Sequence, residues 1–163
     1  MDESERDGAV GDVADVTDLS SRVPGAERLV VLAARSPHRR GSAERRALGR
    51  SLLREAAVRL GSATDDVVVT ARCARCGGDH GRPVVTDAST GRRRFGSVTH
   101  AGTTTLVAFG PDAVGIDAET IAGDPTRDAA IREVTGSTPD EAPDGIGALR
   151  VWTAIEAVLK RDG

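Results

Sequence analysis

Residues 42–60 carry the clearest helix pattern in the chain. Ser42 can cap the start, Ala43, Ala47, Leu48, Leu52, Ala56 and Leu60 recur at helical spacing, and Gly61 supplies the stop. One apolar stripe on such a helix must lie on something. The flanking segments read as strands: 27–34, broken by Ser36-Pro37, and 66–72, rich in Val and Thr. Further along, 83–86 reads as a third strand and 90–94 as a loop of consecutive arginines. Segments 103–109 and 113–118 read as a hairpin around Gly110-Pro111-Asp112. Helices are expected at 126–134 and 147–160, with a turn-rich stretch at 136–145 between them. The fold class is α+β.

Aromatic residues are so few (Phe95, Phe109 and Trp152, with no Tyr) that Val, Leu, Ile and Ala must build the core. A length of 163 residues suits one domain, or two small halves sharing a core. The net charge of -3 leaves no nucleic-acid footprint. That charge is uneven. Residues 1–20 are acidic and poor in apolar side chains, and read as a disordered leader. The remaining body is mildly basic, which suits an anionic ligand. No apolar run approaches membrane-spanning length, and the leader lacks the pattern of a signal peptide, so the expected location is the cytoplasm.

Lys160 is the single lysine among 22 Lys and Arg residues. Arg keeps its proton in proteins, whereas a Lys can be tuned to donate and accept one. On a helix Trp152, Glu156 and Lys160 follow one another at i+4 and share a face. Read alone, Glu156 and Lys160 are a surface ion pair. Upstream, Asp117 and Glu119 in Val114-Gly115-Ile116-Asp117-Ala118-Glu119 would share one face of a strand. Two adjacent carboxylates call for a cation or a proton between them. With Glu156 they make three hard oxygen donors, a set suited to Mg2+. Ser97-Val98-Thr99-His100 places hydroxyls and an imidazole just before the strand at 103–109. Arg45, Arg46, Arg50 and Arg54 line the polar side of the 42–60 helix, a solvated basic face on charge alone. Cys73-x-x-Cys76 with His80 admits either a zinc reading or a turn with two reduced thiols; zinc would need a fourth ligand, His38 or a carboxylate.

The order of these pieces resembles the Sfp-type 4'-phosphopantetheinyl transferases. The similarity runs from about Arg45 to Gly163 through His80-Gly81-Arg82-Pro83, Ser97-Val98-Thr99-His100, Gly115-Ile116-Asp117-Ala118-Glu119 and Trp152 to Lys160. The resemblance implies two pseudo-repeated α+β halves, residues 21–95 and 96–163 here, the second shortened, with coenzyme A in the cleft between them. It implies a holo-[acyl-carrier-protein] synthase activity on the serine of an apo acyl or peptidyl carrier protein, releasing 3',5'-ADP. Mg2+, or Mn2+, would be held by Asp117, Glu119 and Glu156. Glu156 and Lys160 would be catalytic, and Arg50, Ser51, Arg82, Thr99 and His100 would hold coenzyme A; Arg35 and Arg39 match that role less well. No nucleic acid or membrane partner is expected. The chain departs from the family at Ile155, where a Lys is usual, and at Gly163, beyond which the family has further strands. These departures keep two other readings open: a catalytically impaired relative that binds coenzyme A or a carrier protein, and a zinc-dependent interaction module around Cys73, Cys76 and His80.

Overall fold

The computed structural model describes residues 15–24, 27–36, 41–121, 124–136 and 146–163. Helix α1, Ser42–Arg59, forms where its periodicity demands. Its N-cap is Gly41 rather than the expected Ser42, and the Glu44 carboxylate turns back to accept the Gly41 N–H at 2.8 Å. Leu48, Gly49, Leu52, Leu53, Ala56 and Ala57 make its buried stripe. That stripe lies on a six-stranded antiparallel sheet, so the protein is α+β.

The strands are β1 (Val16–Asp18), β2 (Val30–Arg35), β3 (Val67–Arg72), β4 (Asp79–Asp87), β5 (Arg92–Ala101) and β6 (Thr104–Phe109), in the order β1-β2-β6-β5-β4-β3. Leu32, Ala34, Val69, Val85, Val107 and Phe109 meet the α1 stripe in one core built, as the composition requires, mostly from aliphatic side chains. Each fully buried Val or Leu contributes roughly 1.5–3 kcal/mol, so α1 and the sheet hold each other without special contacts.

Three segments differ from expectation. Residues 113–118 form no strand, because β6 already pairs with β2 on one edge and β5 on the other. Arg92, Arg93 and Arg94 are not a loop but the start of β5, paired with Asp87, Thr86 and Val85. Val16–Asp18, inside the stretch read as leader, pairs with β2 as β1. The rest of that stretch, His38, Arg39 and most of the turn-rich 136–145 lie outside the described residues.

Strand β5 sets up the functional region. Its first part, Arg92 to Phe95, pairs with β4, while Gly96 to Ala101 pairs only with β6. The strand thus runs straight across the 95/96 division expected from the sequence, and among the described residues its second part has no strand on the β4 side. Val98 points toward α1, where it nearly touches the Cβ position of Gly49. Ser97 and Thr99 therefore point to the opposite face. There they catch the loop after β6: Ser97 Oγ accepts the Ile116 N–H at 3.0 Å, and Thr99 Oγ1 donates to Asp117 at 2.9 Å.

Helices α2 (Pro125–Thr135) and α3 (Gly147–Asp162) follow. Asp124 caps α2 by accepting the Thr126 and Arg127 N–H groups. No residue of α3 is fully buried, so hydrophobic burial alone holds it weakly. It is seated by close contact instead. A Cβ at Gly115 would lie 1.8 Å from the Ala157 carbonyl oxygen, so only glycine lets the loop backbone lie against α3.

Gly115→Ala is expected to push α3 off the loop and cost about 1–3 kcal/mol of stability, as overpacking does. Denaturant unfolding followed by the fluorescence of Trp152, the only tryptophan and a residue of α3, measures it. An unchanged midpoint and an unchanged native emission would contradict this packing.

Candidate functional site

A cleft of about 540 Å³ opens along the unpaired side of β5. Four parts of the chain build its wall. The start of α1 gives Ser42, Arg45 and Arg46, and β5 gives Val98, Thr99 and His100. The loop gives Asp117 and Glu119, and α3 gives Trp152, Glu156 and Lys160. The i+4 spacing read on the last helix thus places all three α3 side chains on the cleft side.

Asp117 is the centre of the wall. Its side chain is 7% exposed, and its Oδ1 accepts from Lys160 Nζ at 2.6 Å and from Thr99 Oγ1 at 2.9 Å. Its Oδ2 is buried with no hydrogen-bond partner among the described residues. A buried carboxylate oxygen left without a partner costs on the order of 1–3 kcal/mol, so this atom calls for a donor or a cation. Glu119 is held at 3.4 Å by Arg127, which also bonds Asp128 and the Thr120 carbonyl. Glu156 has no ion-pair partner among the described residues. The ligand oxygens of these three carboxylates do not form a group within 4.8 Å of one another; among the described residues the one such group is Cys73, Cys76 and His80. Asp117, Glu119 and Glu156 offer hard oxygens of the kind Mg2+ takes, one of them orphaned, but the three are not drawn around one point.

The opposite wall is cationic. Arg45 and Arg46 reach the cleft from α1, and the half-buried His100 bonds Thr105 Oγ1 through Nδ1 at 3.0 Å. Burial first, then the positive charges of Arg45 and Lys160, hold the His100 pKa below the ordinary 6.5. A neutral imidazole leaves Nε2 available to a ligand.

The remaining sequence-derived residues sit beside this cleft rather than in it. Arg50 pairs with Asp79 at 2.8 Å and lines an adjoining cavity of about 240 Å³, which shares Arg46, Val98 and His100 with the main one. Ser51 is exposed and lines none of these cavities. Arg82 lines a third cavity of about 400 Å³, which shares Lys160 and Val98 with the main cleft. Its guanidinium lies 4.1 Å from the Phe95 ring centre and donates to the Arg161 carbonyl at 2.6 Å, tying β4 to the end of α3. Ile155, where the resembled family carries Lys, is exposed and does not line the cleft. Arg45, Arg46 and Trp152 were not among the expected site residues. The first pair belongs to the basic face read on the 42–60 helix, and the i+4 step to Glu156 pointed to the last.

No family model, curated protein or solved structure matches the chain. No helix among the described residues is long and apolar enough to cross a membrane.

His100 is expected to titrate below 6.5. The unfolded chain then takes the proton first, so His100 withdraws stability as the pH falls below about 6.5 and has no effect above it. A proton NMR titration of the imidazole, with His100→Gln flattening the acid limb of stability, checks this. A midpoint at or above 6.5 would contradict the buried, cation-flanked setting.

Proposed function

We propose that the chain is a 4'-phosphopantetheinyl transferase of the Sfp type, moving 4'-phosphopantetheine from coenzyme A to a serine of an apo acyl or peptidyl carrier protein. One observation carries this reading. Residues chosen by motif order alone, from Thr99 to Lys160, line a single cleft around a buried carboxylate with an orphaned oxygen. The two-half reading of the fold belongs to the same proposal. The cytoplasm, where coenzyme A and apo-carriers meet, is the matching location.

In this reading coenzyme A lies along the open edge of β5. Arg45, Arg46 and His100 on one wall, with Lys160 on the other, take its phosphates. Arg50 reaches the 3'-phosphate by exchanging Asp79 for it, which costs little because exposed ion pairs are worth about 0–1 kcal/mol. The serine Oγ of the carrier attacks the phosphorus that bears the pantetheine arm. The new O–P bond forms as the bridging P–O bond breaks, and 3',5'-ADP leaves. Glu156 accepts the serine proton, directly or through water. Lys160, oriented by Asp117, neutralises or protonates the leaving phosphate. Asp117, Glu119 and Glu156 would hold Mg2+ or Mn2+, which would supply charge neutralisation to the pyrophosphate. Thr99 keeps Asp117 aimed.

Intact-mass analysis of an apo-carrier incubated with the protein, coenzyme A and Mg2+ tests the proposal. The carrier is expected to gain one phosphopantetheine, EDTA to stop the gain, and Asp117→Ala to slow it by on the order of a hundredfold or more. An unmodified carrier, or full activity of Asp117→Ala in EDTA, would overturn it.

Lys160→Arg separates two roles. Guanidinium keeps the positive charge but is a far weaker acid, so a proton-donating Lys160 predicts a loss of at least about tenfold in kcat, close to 1.4 kcal/mol of barrier, with a smaller change in coenzyme A affinity. Turnover near wild type would leave Lys160 as a phosphate contact alone.

A further inference from the structure

The turn between β3 and β4 holds chemistry that the cleft does not use. Cys73 follows β3, Cys76 lies in the turn, and His80 is the second residue of β4. One ligand atom from each lies within 4.8 Å of the other two, and Cys76 Sγ is 3.0 Å from His80 Nε2. A tetrahedral zinc with Zn–S near 2.3 Å and Zn–N near 2.0 Å sets its donors roughly 3.5–3.8 Å apart, within that bound.

The backbone is folded around the sulfurs. Cys73 donates its N–H to the Gly78 carbonyl and accepts the Gly77 N–H on its own carbonyl, both at 2.8 Å. This tight loop needs Gly77 at φ +72, a conformation that glycine adopts without strain. The result aims an N–H group at Cys76 Sγ, to which Gly78 donates at 3.4 Å. A Cβ at Gly78 would crowd the His80 ring at 3.0 Å and Cys76 Sγ at 3.3 Å, so the residue between the ligands must be small.

We propose that Cys73, Cys76 and His80 bind one Zn2+, with water in the fourth position. Asp79, the residue before His80, is paired with Arg50 and is not part of the ligand group. The ion would clip the hairpin whose β4 end supplies His80, Gly81 and Pro83 to the cavities beside the cleft. A clip of this kind would steady Asp79 and, through it, Arg50.

Metal content is measured on the reduced full chain and does not depend on any transfer activity, so its result stands apart from the transferase reading. One zinc per chain is expected after dialysis against zinc. Cobalt titrated into the metal-free wild-type chain should give a thiolate-to-cobalt charge-transfer band and tetrahedral visible bands, a readout that requires no variant to fold. His80→Ala should weaken zinc by at least about tenfold, and Cys73→Ser with Cys76→Ser should abolish the charge-transfer band, while Asp117→Ala keeps both metal and band. The absence of a charge-transfer band in the wild-type chain with both thiols reduced would overturn the site. So would zinc retained in full by the folded double-cysteine variant.

Discussion

The contact of Asp117 with Lys160 and Thr99 joins three parts of the molecule that little else connects. Thr99 belongs to the sheet, Asp117 to the loop, and Lys160 to a helix with no fully buried residue. The α1 stripe and the sheet form a core that needs no help from this contact. The loop and α3 need it, because their seat against the sheet rests on a few polar bonds and on one glycine pressed against a helix backbone. Asp117 is buried and Lys160 partly so, which makes losing either partner costlier than losing a surface pair. The same contact leaves Asp117 Oδ2 facing no partner, and so the element that organises the wall also leaves it reactive toward a cation.

The open edge of β5 explains why a cleft exists at all. An antiparallel sheet normally pairs its strands along their length, yet β4 leaves β5 at Phe95. Pro83, which has no N–H to offer a ladder, sits just before the paired part of β4. Before it, β4 pairs with β3 at Asp79 across a bulge, and His80, Gly81 and Pro83 line the cavities beside the cleft. Proteins usually cover or blunt such an edge. Here α1 flanks one side and the loop with α3 the other, so the unpaired strand becomes the floor of a cleft. Its basic wall comes from the first turns of α1 and its acidic wall from the loop and α3. That division of charge suits a phosphate-bearing ligand whose reacting end must meet carboxylates.

Much of the fold was legible because its signals are local. The apolar period of α1 and the Val-rich runs of β2 and β3 depend only on near neighbours. The errors arose where pairing decides. Residues 113–118 carry a strand-like composition, but both edges of β6 were already taken, which no local pattern reveals. Three successive arginines looked like a loop, yet a strand can expose or half-bury such long side chains while its backbone pairs. Val16–Asp18 was hidden by its acidic surroundings. In the site, Thr99, His100, Asp117, Glu119, Glu156 and Lys160 were read from motif order and do line one cleft. Ser51 is exposed because each residue turns the helix by about 100°, which carries it off the row of Arg46 and Arg50. Arg82, read as a phosphate-holding residue, lies outside the main cleft, where it meets Phe95 and the Arg161 carbonyl through contacts set only by the tertiary fold.

A double-mutant cycle on Asp117 and Lys160 tests most directly whether this one contact seats the cleft wall. Asp117→Asn, Lys160→Met and the pair would be compared by urea unfolding, followed through Trp152 on α3 and through circular dichroism. A coupling of about 1–3 kcal/mol is expected, the range of residues that share one polar network, with the Trp152 emission shifting alike in all three variants. Single effects that add within about 0.5 kcal/mol, with native Trp152 emission in each variant, would show that α3 is held by something else.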